Sequence, residues 1–358
     1  MTFSPLEVRT AIDYSAVRKS TGLGLALFTV SASFYIGGFI LLLQSHFWFV
    51  KAALSLLLGF IVPVLFVIGH DACHGSLTRR PKLNQILGRL AFLPSLHPYT
   101  GWEWTHNVKH HGFTNVRGED IVYVPFAPDE FASLPPWRRV AERLYRSPFG
   151  LGALYFCTVY WPFELFPAPQ YVPPAKRRKP YQIDRALVLC FLAAQVLLLS
   201  LWGHPSVAKA ALNLFFGIIV PQAGFHWLMG FVTFMHHTHP KIPWYANRRE
   251  YSYYRSQVCS TTHIEFPPLL DFVLHRILQH TAHHVDPTIP LYHLLGAQEG
   301  LEKRFQEIIH EPFTLRGFLL TLRTCRLYDY QSHRWLDFNG VPTSDTVFAE
   351  EAALEGTA

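Results

Sequence analysis

Four long apolar runs interrupt an otherwise polar chain: Leu23–Leu43, Phe47–Gly69, Ala186–Trp202 and Val207–Phe234. A helix needs roughly 20 mainly apolar residues to cross a bilayer, so each run predicts a transmembrane span, with the third at the short limit. The fourth carries Asn213, Pro221, Gln222 and His226, which predicts a tilted helix or one packed inside a bundle. Only Gln44–His46 separates the first two runs and Gly203–Ser206 the last two. The spans therefore pair as two helical hairpins with short turns on one side. The first run exceeds the apolar core of a secretory signal, and a second span follows at once, so it is expected to stay in the membrane.

Two further stretches mix apolar with polar positions. Leu83–Leu96 contains Asn84, Gln85 and Arg89, and Leu151–Phe166 is broken by Pro162 and Glu164. Both predict helices lying at the membrane surface. The basic, proline-rich Phe166–Pro180 reads as a connector and Glu299–Ile309 as an amphipathic helix. Residues 341–358, with Glu350, Glu351 and Glu355, read as a loose tail. The expected fold is an all-α integral membrane protein. One domain over 1–340 holds four transmembrane helices and a helical cap drawn from 70–185 and 235–340.

Composition agrees. Half of the 358 residues are hydrophobic and 16% are charged, against about 25% in a typical soluble domain. The net charge of +6 is unevenly placed. Arg9, Arg18 and Lys19 precede the first span, a basic series from Arg79 to Arg185 lies between the hairpins, and Lys241, Arg248 and Arg249 follow the last. The two short turns hold no lysine or arginine. The positive-inside rule then places both termini and the cap in the cytoplasm. The basic flanks suit anionic lipid or an acidic protein, and no nucleic-acid motif is present. Five scattered cysteines without a C-x-x-C pair argue against disulfides or a thiolate zinc site. The compact length and absence of an obvious targeting extension point to a bacterial inner membrane.

Three histidine clusters stand out against this background: His70 and His74; His106, His110 and His111; and His280, His283 and His284. The predicted topology puts all of them, with His236 and His237, on the same face of the membrane. Imidazole is a common ligand for transition metals. Residues four apart share a helix face, so His70 with His74, and His106 with His110, can each reach one ion. His280 can pair with His283 or His284. Adjacent histidines diverge by about 100°, which suits two ions better than one. The donor set permits iron, zinc or copper. His46, His204, His310 and His333 read as surface or turn residues, while His97, His226, His263, His275 and His293 are candidates for outer support of the ligands.

The order H-D-x-x-H, H-x-x-x-H-H and H-x-x-H-H with two membrane hairpins resembles the membrane fatty acid desaturase superfamily over roughly Val64–Leu295. The segments His110–Pro125, Phe234–Tyr245 and His280–His293 resemble its acyl-lipid omega-6 or delta-12 branch. The resemblance implies two iron ions held by His70, His74, His106, His110, His111, His237, His280, His283 and His284, with O2 as co-substrate. His236 and His239 compete with His237, because this chain has His236 where the branch usually has Gln. The resemblance also implies that Asp71 and Asp120 orient ligands and that Trp102 lines an acyl tunnel. The implied reaction is O2-dependent desaturation of a long acyl chain in a lipid. A separate ferredoxin-like or cytochrome b5-like donor and its reductase would supply electrons, since the chain has no H-P-G-G haem signature. Enzymes of the same scaffold also hydroxylate, or release CO2 from a free fatty acid to leave a terminal alkene. That last reaction needs a basic anchor near the metals, for which Lys109 and Arg117 are candidates. A non-catalytic metal carrier is the reading from another class, but carriers place ligands within their spans.

Overall fold

The computed structural model describes residues 3–15, 17–203 and 206–347. His204 and the tail from 348 onward, including Glu350, Glu351 and Glu355, lie outside the described residues.

After a short helix α1 (Pro5–Arg9), the first hairpin is formed by α2 (Thr21–Gln44) and α3 (Trp48–Cys73). The second is formed by α9 (Ala175–Leu201) and a helix running through α10 (Val207–Leu214), a π-helical stretch (Phe215–Ile219) and α11 (Val220–His237). All four are long and apolar enough to cross a membrane. They divide into an inner and an outer pair: 67% of the apolar window of α3 is buried, against 17% for α2 and for α9. The inner helices α3 and α11 meet through glycines. A Cβ on Gly224 would lie 3.2 Å from the Gly59 Cα, so a larger residue would force the backbones apart.

The third span begins eleven residues earlier than expected, inside the basic stretch read as a connector. Its first turns are amphipathic and bury Tyr181 and Asp184. Asp184 accepts hydrogen bonds from the Thr100 amide (2.9 Å) and hydroxyl (2.5 Å) and from Arg89 (2.6 Å). These bonds join α9 to α4 (Pro81–Phe92) and α5 (Tyr99–Trp104). On the inner side α4 docks so closely that a Cβ on Gly69 would sit 2.4 Å from the Phe92 ring.

The rest of the cap includes α6 (Pro128–Ser133), α7 (Pro136–Tyr145) and α8 (Leu151–Tyr155), which continues as a π-helix (Phe156–Leu165). The cap is not purely helical. Strand β1 (Thr262–Glu265) pairs in parallel with β2 (Ile309–Pro312), and β3 (Leu327–Asp329) pairs antiparallel with β4 (Arg334–Leu336). Between β1 and β2 lie α12 (Pro268–Val273), α13 (His280–Val285) and α14 (Leu294–Arg304). The helix expected to reach Ile309 thus ends at Arg304, because Ile309 is taken into β2. A last helix, α15 (Leu315–Thr324), precedes β3. Residues 341–347 are not loose: the Thr343 amide bonds the Trp335 carbonyl at 2.9 Å and the Val347 amide bonds the His333 carbonyl at 3.0 Å.

Candidate metal centre

The inner helices and the cap converge on the histidines. All nine positions singled out in the sequence come together in two groups. His70, His74, His106, His111 and His283 form one, and His110, His237, His280 and His284 the other; within each, the ligand-type atoms lie within 4.8 Å of one another. His236 stacks on His280 at 3.7 Å between centroids but joins neither group, and His239 pairs with Glu311.

The second cluster sorts differently from the i, i+4 expectation. Thr105–His110 is π-helical, and the His111 amide bonds the His106 carbonyl five residues back. Such i→i+5 winding, a frequent feature of functional sites, turns His106 and His111 to the same side and sends His110 to the other group. Within α13, His280 and His284 share a face while His283 joins the other set. Adjacent histidines therefore divide between the groups, as expected for two ions.

The ring nitrogens converge. His106 Nε2 lies 2.7 Å from His70 Nε2 and 3.1 Å from His111 Nε2, which is 3.0 Å from His283 Nε2. In the other group His237 Nε2 and His280 Nε2 are 2.9 Å apart. Burial, reinforced by the neighbouring rings, pushes the imidazoles of His74, His106, His111, His280, His283 and His284 well below the usual histidine range. They are neutral at physiological pH, each with a lone pair to offer. His74 Nε2, His284 Nε2 and the Nδ1 atoms of His111, His280 and His283 are buried without a hydrogen-bond partner. Converging lone pairs and orphaned ring nitrogens in a buried site fit a pair of transition-metal ions.

Outer contacts fix several rings. Asp120 faces His110 Nδ1 at 2.9 Å and is itself held by the amides of Asn115 and Ile121, both at 2.7 Å. His237 Nδ1 meets the Ser260 carbonyl at 3.2 Å, and His284 Nδ1 meets Gln257 Oε1 at 2.9 Å. Asp71 is also buried but bonds no histidine among the described residues. Gln257 and Ser260 carried no sequence signal, being single polar residues in a segment without a motif. His97 contacts the Tyr155 hydroxyl at 3.0 Å, and His263 and His310 gather around Glu302. Like His226, His275 and His293, they stand outside both groups. Another residue missed in the sequence is Glu164, which accepts a hydrogen bond from the Thr105 hydroxyl beside His106. Burial pushes its carboxyl up to about 8, so it is largely protonated at neutral pH.

The histidines border a cavity of about 800 Å³, within the range of about 300–1,000 Å³ common for small-molecule sites. His70, His106, His110, His236, His237 and His280 line it, and apart from Thr233 its other walls are aromatic and aliphatic. Trp102 lines it and stacks on the His106 ring at 4.8 Å, where a tunnel-lining role had been expected. Lys109 and Arg117 do not line it. Lys109 pairs with Glu119 at 3.2 Å, and Arg117 pairs with Glu130 and covers the Tyr330 ring.

The family model described as fatty acid desaturase matches residues 25–311. The chloroplastic omega-6 fatty acid desaturase of Glycine max is 29% identical over 284 residues, covering 79% of this chain and 63% of the plant protein. The sn-1 oleoyl-lipid 12-desaturase of Picosynechococcus sp. is 28% identical over 296 residues, covering 81% of this chain and 80% of that protein. The chloroplastic omega-6 enzyme of Arabidopsis thaliana is 27% identical over 314 residues, covering 85% of this chain and 65% of the relative. The chain thus spans less than two thirds of the plant relatives but most of the cyanobacterial one. The match takes in both hairpins and every histidine of the two groups, and the chain belongs to the fatty acid desaturase family.

Proposed function

We propose that this integral membrane protein is an O2-dependent di-iron oxidoreductase that introduces a double bond into a long acyl chain of a lipid. The observation that carries the reading is the largely apolar cavity of about 800 Å³ lined by members of both histidine groups. His70, His74, His106, His111 and His283 would hold one iron, and His110, His237, His280 and His284 the other. When bound, the irons supply the O2 chemistry needed to remove hydrogen from an unactivated methylene.

The chain's own residues do the rest. Apolar walls exclude water and align an extended acyl chain, and the Trp102 ring keeps His106 from rotating. Asp120 fixes the tautomer and direction of His110. Among the described residues, no lysine or arginine lines the cavity. Nothing in its wall therefore holds a carboxylate beside the histidines, as loss of CO2 from a free acid requires. The names of the relatives favour an acyl lipid as substrate. The positive loops favour a cap on the cytoplasmic face of a bacterial inner membrane, where a ferredoxin-like or cytochrome b5-like donor would deliver electrons.

The test is expression in a host that lacks such products, followed by lipid and headspace analysis. A new unsaturated acid of unchanged carbon number is expected. A hydrocarbon one carbon shorter than its parent would overturn desaturation in favour of decarboxylation.

A further inference from the structure

A second pocket of about 320 Å³ opens beside the acyl cavity and shares Pro148 and Leu319 with it. Four of its lining residues are arginines: Arg143 and Arg146 from the end of α7, and Arg323 and Arg326 from the end of α15. No lining residue is acidic. Arg146 is the informative one, because its side chain is only 2% exposed. One of its nitrogens donates to the Val124 carbonyl at 3.0 Å, while Nη1 and Nε have no hydrogen-bond partner. Its ion pair with Glu142 is long, 3.5 Å, and the other Glu142 oxygen is taken by Arg138 at 2.6 Å. Arg143 and Arg326 sit over the Phe338 ring at 4.6 and 5.1 Å. Like charges gathered at a buried, under-bonded guanidinium are costly unless an anion joins them.

The surroundings say which anion. Phe149 at the cavity edge is 94% exposed, and Leu144 of α7 and Leu315 and Leu320 of α15 are more than half exposed. Apolar residues beside basic ones on two short amphipathic helices match a surface that enters the headgroup layer. An acidic protein would not bury these apolar side chains in the same way.

We propose that the four arginines seat the anionic headgroup of the acyl substrate, a phosphate or carboxylate, with the chain passing between Pro148 and Leu319 into the cavity. Guanidinium groups bind either anion in a fork. The distance from this seat to the histidines would then select the carbon that is oxidised. The proposal rests on the acyl-oxidation reading above.

The experiment is native mass spectrometry of the purified full chain with dioleoyl phosphatidylglycerol, oleate or an uncharged galactosyl diacylglycerol, together with product analysis in vesicles of each composition. The variants are Arg143→Gln and Arg323→Gln, at exposed positions, and their double mutant; Arg146→Gln follows only if it folds. Each single change should weaken anionic binding about tenfold, or about 1.4 kcal/mol, and leave the galactolipid within about twofold. Loss for phosphatidylglycerol alone identifies a phosphate headgroup, and loss for oleate alone a carboxylate. Equal effects on charged and uncharged lipids, or none, would overturn the seat. So would slower reduction by an acidic carrier with lipid binding unchanged. Selective anion binding with no oxidised product from any lipid would leave the seat standing and sink the acyl-oxidation reading.

Discussion

The two histidine groups are built differently. In the group of four, three rings are tied from behind: His110 by Asp120, His237 by the Ser260 carbonyl and His284 by Gln257. Buried ring nitrogens without a partner occur in both groups, on His74, His111 and His283 in the group of five and on His280 and His284 in the group of four. Among the described residues, however, no ring of the group of five has an outer partner of this kind. The rings of the group of five are positioned mainly by packing on one another and on Trp102, with centroids 4.5–4.8 Å apart for most neighbouring pairs. Outer hydrogen bonds fix tautomer and direction before a metal arrives, whereas packed rings without them can turn. The rings of the group of four are thus held more firmly from behind than those of the group of five.

The largest effect should come from removing a ligand. His283→Ala in the group of five and His284→Ala in the group of four should each abolish turnover and lower bound iron from about two ions per chain to about one. Full turnover by either variant refutes its ligand role. Asp120→Asn separates the groups more finely, because it removes only the anion behind His110. Outer partners of this kind are worth about 10–100-fold in metal affinity. Chelator titration should become biphasic, with the group of four emptied first; a uniform loss would refute the division.

Acid should destabilise the metal-free fold. Imidazoles outside the spans that burial holds neutral include His74, His106, His111 and His283 in the group of five and His280 and His284 in the group of four. Their folded-state values lie below the ordinary 6.5, so the unfolded chain binds more protons below that pH and the folded state loses stability on acidification. Thermal unfolding of the metal-free chain should be nearly flat above about pH 6.5 and move to lower temperature below it. A midpoint that rises on acidification contradicts the buried neutral state. The smallest effect belongs to Gln257→Leu, which removes its hydrogen bonds to His284 Nδ1 and to the His111 carbonyl, both 2.9 Å, and should cost about 1–3 kcal/mol at about 0.5–1.5 kcal/mol per bond. Thermal unfolding should register this loss with both metals still bound.

The same contrast separates what the sequence made legible from what it hid. The nine histidines could be read because ligands for a shared ion recur at helical spacing beside apolar spans. Their division could not, since it depends on a π-helical turn over Thr105–His110 that no residue type announces. Asp120 stood beside a cluster and was found; Gln257 and Ser260 reach the site from a segment with no histidine of the three clusters. The spans were legible from hydropathy, but α9 starts early because Asp184 is satisfied by Thr100 and Arg89, a tertiary bond. Lys109 and Arg117 were legible as basic residues near the histidines, whereas the gathering of Arg143, Arg146, Arg323 and Arg326 around one pocket, from two helices distant in the sequence, was not.

Two iron ions beside an acyl cavity are tested together by metal analysis of the purified chain and acyl-product analysis on the same preparation. About two irons per chain and an unsaturated product of unchanged carbon number are expected. Tightly bound zinc with no oxygen consumption on any acyl substrate would contradict this assignment.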